Sequence, residues 1–93
     1  MITHSPVPVS DSPVCMLRWL LRSGAAVLSC EVGMNGDRTF EVRVLPSSNQ
    51  RDGLVERYSG LVSAMKRHAE IANTLRDSGW QVAERITAPA VAA

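Results

Sequence analysis

The chain is poor in the residues that sequence motifs use for chemistry. Its 93 residues include two cysteines, Cys15 and Cys30, and two histidines, His4 and His68. They form no CxxC or HxxxH spacing, and a metal site needs three or four suitably spaced ligands, so neither a metal nor a cofactor is expected. Two cysteines are too few for a disulfide framework; with no secretory context, both are expected to be reduced and structural. The six glycines are scattered and make no phosphate loop. No run is long enough to cross a bilayer: Val14 to Cys30 is the most apolar stretch, and Arg18, Arg22 and Gly24 interrupt it. The start carries no positive n-region, so a cytoplasmic protein is expected. Net charge is +1, which gives no electrostatic case for nucleic acid, although Arg18, Arg22, Arg43 and Arg85 are the residues such a surface would need.

What is present is packing pattern. Leu54, Leu61, His68 and Leu75 recur every seven residues, as do Tyr58, Met65 and Ala72, and Val55, Val62 and Ala69. At 3.6 residues per turn these rows merge into one broad apolar face, which predicts a long helix from Asp52 to Ser78. Asp52 is a plausible N-cap, Gly79 the C-terminal cap, and Trp80 the apolar residue after it. Gly60 then falls inside the helix at a cost of about 1 kcal/mol relative to alanine.

Ala25 to Val32 and Thr39 to Leu45 alternate and flank Asn35-Gly36, the pattern of a hairpin. A three-residue loop, Met34-Asn35-Gly36, places Ala26, Leu28 and Cys30 opposite Val44, Val42 and Phe40. Val27, Ser29 and Glu31 then share the other face with Arg43, Glu41 and Thr39. A two-residue loop would mix polar with apolar, so the clean partition favours the longer one. Pro46 ends the second strand. Alternation in Trp80 to Ile86 predicts a third strand returning beside the hairpin. Val14 to Ser23 is apolar nearly all round; a short helix or irregular segment closed by Gly24 is favoured over an extra strand.

The expected fold is α+β: a small two-layer β-β-α-β unit with an antiparallel hairpin, a long helix, a C-terminal strand and a short N-terminal helix. Residues 12–86 form the domain; 1–11 are expected to be disordered and 87–93 a flexible tail. So small a domain buries only ~60% of the surface its unfolded chain exposes, and a partner subunit would help.

Few side chains suggest a site. His68 lies near the centre of the helix's apolar face, where a cleft with Cys30 and Tyr58 could hold a small molecule or a minimal active site. A Cys-His dyad would also need an orienting group and an oxyanion site, and neither has a local signature. A neutral imidazole hydrogen-bonded to a backbone carbonyl or to Tyr58 is the simpler expectation. Glu56, Glu70 and Asp77 read as a solvated helix face. Glu31 and Glu41 near Arg43 read as a cross-strand charge pair. Trp19, Val27 and Leu45 are the interface candidates, since the helix can cover only one face of the sheet.

The layout resembles small uncharacterised bacterial proteins that pair a hairpin with a helix ending in Leu-x-x-x-Gly-Trp. Here that string is Leu75-Arg76-Asp77-Ser78-Gly79-Trp80, and the hairpin is Leu28-Ser29-Cys30-Glu31-Val32 with Phe40-Glu41-Val42-Arg43-Val44. The resemblance covers roughly residues 25 to 82. It implies the fold and carries no activity. The sequence therefore points to a non-enzymatic interaction module, acting as a homodimer, ahead of a small-molecule-binding domain or minimal enzyme.

Overall fold

The computed structural model describes residues 13–49 and 52–87. The chain forms β1 (Val14–Ser23), β2 (Ala26–Met34), β3 (Phe40–Pro46), β4 (Leu54–Tyr58), α1 (Leu61–Asp77) and β5 (Gln81–Thr87). The five strands make one sheet in the order β4-β3-β2-β1-β5, and every neighbouring pair is antiparallel. The fold is α+β, with the hairpin, the long helix and the C-terminal strand in place. The expected disordered start and the tail beyond Thr87 lie outside the described residues.

Two elements differ from the sequence expectation. Val14–Ser23 is a strand, not a short helix. It lies between β2 and β5, so both its edges are hydrogen-bonded. Its alternation is blurred by Leu20, which stands among Arg18 and Arg22 on the face away from the helix, and by a bulge between Cys15 and Leu17. The spacing of Arg18 and Arg22 suits a strand as well as a helix, because four is a multiple of the strand period. Gly24 is no helix cap. It takes φ +60° in the two-residue turn to β2, where Ala25 does not, as in a type II′ hairpin.

The helix starts at Leu61 rather than Asp52, because Leu54–Tyr58 pairs with β3. Gly60 is therefore the N-cap, in extended conformation, and not a defect inside the helix. Glycine is well tolerated at an N-cap, so the interior penalty disappears. The buried stripe is Ala64, His68 and Ala72. Ile71 packs beside it, while Val62 is 81% exposed and Met65 also faces solvent. The broad face read from the heptad rows was thus partly solvated. Two small alanines let the helix settle close to the sheet.

The β2–β3 register differs from the expected one, but the faces do not. Cys30 pairs with Val44, and Met34 with Phe40, around a loop from Asn35 to Thr39. That is four residues away from the expected pairing, and an even shift keeps every side chain on its face. Polar contacts hold the wider loop. The Asn35 amide N–H donates to the Thr39 carbonyl (2.8 Å), the Thr39 hydroxyl donates to Asp37 (2.6 Å), and Arg38 rather than Gly36 takes the positive φ, +68°.

The helix ends in a Schellman motif. The Trp80 N–H reaches the Leu75 carbonyl and the Gly79 N–H reaches that of Arg76, with Gly79 at φ +103°. Trp80 then leads into β5, which pairs with β1 rather than with the hairpin itself. A register shift opposite Leu20 and Leu21 puts Val82 on the helix side and Ile86 on the other.

β4 and β5 are the two edges of the sheet, and α1 joins them. Crossing five strands takes about 19 Å, and seventeen helical residues span about 25 Å, so α1 lies diagonally over one face. The core between the helix and the sheet is Val32, Val42 and Ala64, packed by Leu17, Phe40, Tyr58 and Ile71. Among the described residues, no helix is long and apolar enough to cross a membrane.

Candidate functional site

Strand alternation sorts the sequence candidates onto two faces. Under the helix lie Trp19, Cys30 and Tyr58, with His68 above them. On the opposite face lie Val27 and Leu45.

His68 is 2% exposed. Its Nε2 is 3.1 Å from the Cys30 carbonyl oxygen. A carbonyl only accepts, so Nε2 carries the proton and donates. The imidazole meets the Trp19 ring edge-on, 5.2 Å between centroids and 90° between planes. Burial holds its pKa below the ordinary histidine value, against the opposing effect of the Cys30 hydrogen bond. The ring is neutral at pH 7. Its partner on β2 is the backbone of Cys30, not the thiol.

The Cys30 side chain is fully buried, and burial pushes its thiol up to about 11, with the Glu31 carboxylate adding to the effect. The thiolate is the nucleophile, so this thiol is a poor one at neutral pH. Tyr58 is engaged elsewhere. Its hydroxyl donates to Glu56 (2.8 Å), raising the phenol's pKa, and Arg67 holds both oxygens of the same carboxylate at 2.8 and 3.2 Å. The hydrogen bonds from Arg67 and then Tyr58 hold Glu56 below the usual carboxylate range. The structure therefore joins His68 to the β2 backbone and assigns Tyr58 to a Glu56–Arg67 cluster at the start of the helix. Among the described residues, no group of three or more His, Cys, Asp or Glu is placed to hold a metal ion.

Trp19 is committed within the subunit. One side meets His68, and the Arg85 guanidinium stacks on the ring at 4.6 Å from its centroid. It stands on the opposite face from the other two interface candidates.

Val27 and Leu45 do come together. With Arg18, Leu20, Ser29, Glu31 and Ser47 they line a shallow depression of about 200 Å³ on the face away from the helix. Val55 and Ile86 extend the apolar surface at the two edges, 52% and 41% exposed. An ionic band runs beside it. Arg18, Glu31 and Arg43 stand level on β1, β2 and β3, and Glu41 and Arg57 are level on β3 and β4. Arg18 lies 3.3 Å from Glu31, with its Nε–H not aimed at the oxygen, and Ser29 donates to the same carboxylate at 2.6 Å. Arg57 pairs with Glu41 at 3.1 Å, and the Asn35 carboxamide donates to it at 3.2 Å. Both carboxylate residues are at least nine-tenths buried. Leu20 and Arg57 were not recognised as members of this surface. The signal for Leu20 was the period-two grouping of Arg18, Leu20 and Arg22 against Leu17, Trp19 and Leu21.

Gly33 also belongs to this face, not only to the hairpin. A Cβ there would lie 2.9 Å from Pro13 Cβ and 3.3 Å from both Pro13 Cγ and the Val14 carbonyl. The proline ring rests on the sheet where β2 has no side chain.

Comparison of the chain with protein-family models, with curated proteins and with solved structures gives no match.

Proposed function

We propose that this chain is a small, cytoplasmic, non-enzymatic protein-interaction module that acts as a homodimer through the face of its sheet away from the helix. The observation that carries the reading is the asymmetry of the two layers. One helix covers one face, and Leu20, Val27, Val55 and Ile86 lie on the other beside an ionic band, whereas the expected interface residue Leu45 on that face is only 7% exposed. An apolar sheet face of this kind is most simply buried by a second sheet. The net charge of +1 leaves almost no self-repulsion to oppose it.

The alternative, a small-molecule-binding domain or minimal enzyme at His68, Cys30 and Tyr58, has less support. The thiol is protonated, the imidazole donates to backbone, and the phenol serves another cluster.

Light scattering across a dilution series tests the reading. A dimer that persists at low concentration, and that Val27→Lys converts to a folded monomer, is the expected outcome. A wild-type protein that is monomeric throughout would remove the homodimer.

A further inference from the structure

The sheet face away from the helix carries a positive charge that no described residue answers. Arg43 makes no ion pair within 4.0 Å among the described residues, and its Nε is buried without a hydrogen-bond partner. A guanidinium cannot shed its proton to relieve this, since it stays charged at any accessible pH. The arginines on either side are occupied: Arg18 by Glu31 and Arg57 by Glu41. The carboxylates are only half used. Among the described residues, every contact to Glu31 and to Glu41 falls on Oε2, and the other oxygen of each accepts no hydrogen bond. One face therefore offers a forked donor and, on the adjacent strand directly opposite it, a vacant acceptor.

We propose that Arg43 of each copy binds Glu31 of a second copy across a two-fold axis, so that two reciprocal ion pairs fix the register of the dimer. This rests on the homodimer reading above and names the contact that specifies it. Arg43 and Glu31 are Cα partners on β3 and β2. An axis running between those strands lays each residue over the other's counterpart, the isologous arrangement of a two-fold dimer. Under that operation the negative charge on β2 and the positive charge on β3 become mutually complementary, while Arg18 of each copy falls over β4 of the other, level with Val55. Leu20 and Val27 lie alongside, and their burial in the dimer would exclude water, which strengthens charge pairs. A wrong register sets arginine against arginine, and this gives specificity as well as attraction.

The test is sedimentation equilibrium on the whole chain, with circular dichroism to confirm folding of each variant. Arg43→Met, which removes charge and keeps length, is expected to raise the dimer Kd by about 30-fold or more. Arg43→Glu and Glu31→Arg are each expected to be monomeric alone and to form a heterodimer when mixed, because mixing restores both pairs, one in the original polarity and one reversed. Glu31→Arg gives up its contacts with Arg18 and Ser29. If it fails to fold, Arg43→Met decides the matter alone. A wild-type dimer whose Kd is unchanged by Arg43→Met overturns the Arg43–Glu31 contact and leaves the interaction module standing. Folded charge-reversal variants that do not combine also overturn it. A wild-type monomer whose Arg43 resonances shift on adding acetate or phosphate overturns it in favour of a small-anion site.

Discussion

Replacing His68 with leucine should change both the stability of the protein and the way that stability depends on pH. The imidazole is 2% exposed and donates to the Cys30 carbonyl at 3.1 Å. Removing it costs a hydrogen bond and strands a buried acceptor, worth about 1–3 kcal/mol. The edge-on contact with Trp19 adds about 0.5–1.5 kcal/mol, and the apolar leucine returns part of the loss by burial. A net destabilisation of about 2 kcal/mol at pH 7.5 follows. The pH term has the opposite sense. Burial lowers the folded-state pKa of His68, so the unfolded chain takes up a proton at His68 more readily than the native one. The stability associated with neutral His68 is fully present above the unfolded value of about 6.5 and is lost as pH falls toward the folded value. At pH 5.5 the wild type has therefore lost up to about 1.4 kcal/mol that His68→Leu never had. Urea denaturation followed by tryptophan fluorescence, on both proteins at both pH values, measures the difference. His4 and the carboxylates are common to both and cancel. The gap should narrow on acidification. A gap that is constant or widens would refute the neutral, desolvated imidazole.

Two further outcomes follow from the packing. Gly33→Ala should destabilise the fold by about 1–2 kcal/mol through its clash with the Pro13 ring, and by clearly less in a Pro13→Gly background. Equal costs in the two backgrounds, measured by chemical denaturation, would mean that the ring yields freely. Cys30 should resist a thiol reagent at pH 8 while half-buried Cys15 reacts, and should become reactive only on unfolding. Mass mapping that finds the two labelled at similar native rates would contradict the buried thiol.

The hairpin, the return strand and the partition of its faces were legible because strand alternation survives an error in loop length. Cys30 was placed opposite Phe40 and lies opposite Val44, yet both assignments put it under the helix. The face candidates Val27 and Leu45 were found for the same reason. What could not be read were elements whose local pattern is ambiguous. Val14–Ser23 has Arg18 and Arg22 on one face and Leu17, Trp19 and Leu21 on the other, but Leu20 among the arginines and the bulge between Cys15 and Leu17 blur that alternation. Leu54–Tyr58 continued the seven-residue rows of the helix, and only Ser59-Gly60 marked the break. These two misreadings hid the ionic band. With β1 and β4 unrecognised, Arg18 and Arg57 had no place on the sheet, and Glu31 and Glu41 were assigned to Arg43, which pairs with neither.

The pairing of β1 with β5 has a consequence for how the protein is made. Of the described strands, the first in the chain waits for the last to fill its outer edge. Until then Trp19 lacks the cation that stacks on it, and the backbone groups of β1 that pair with β5 stay open. No shorter prefix of the chain closes the sheet on that side. Contacts this distant in sequence slow folding and expose strand edges in the interval. A chain cut short before Gln81 should therefore present a sticky, incomplete sheet to its neighbours, and the docking of β5 is the event that seals it.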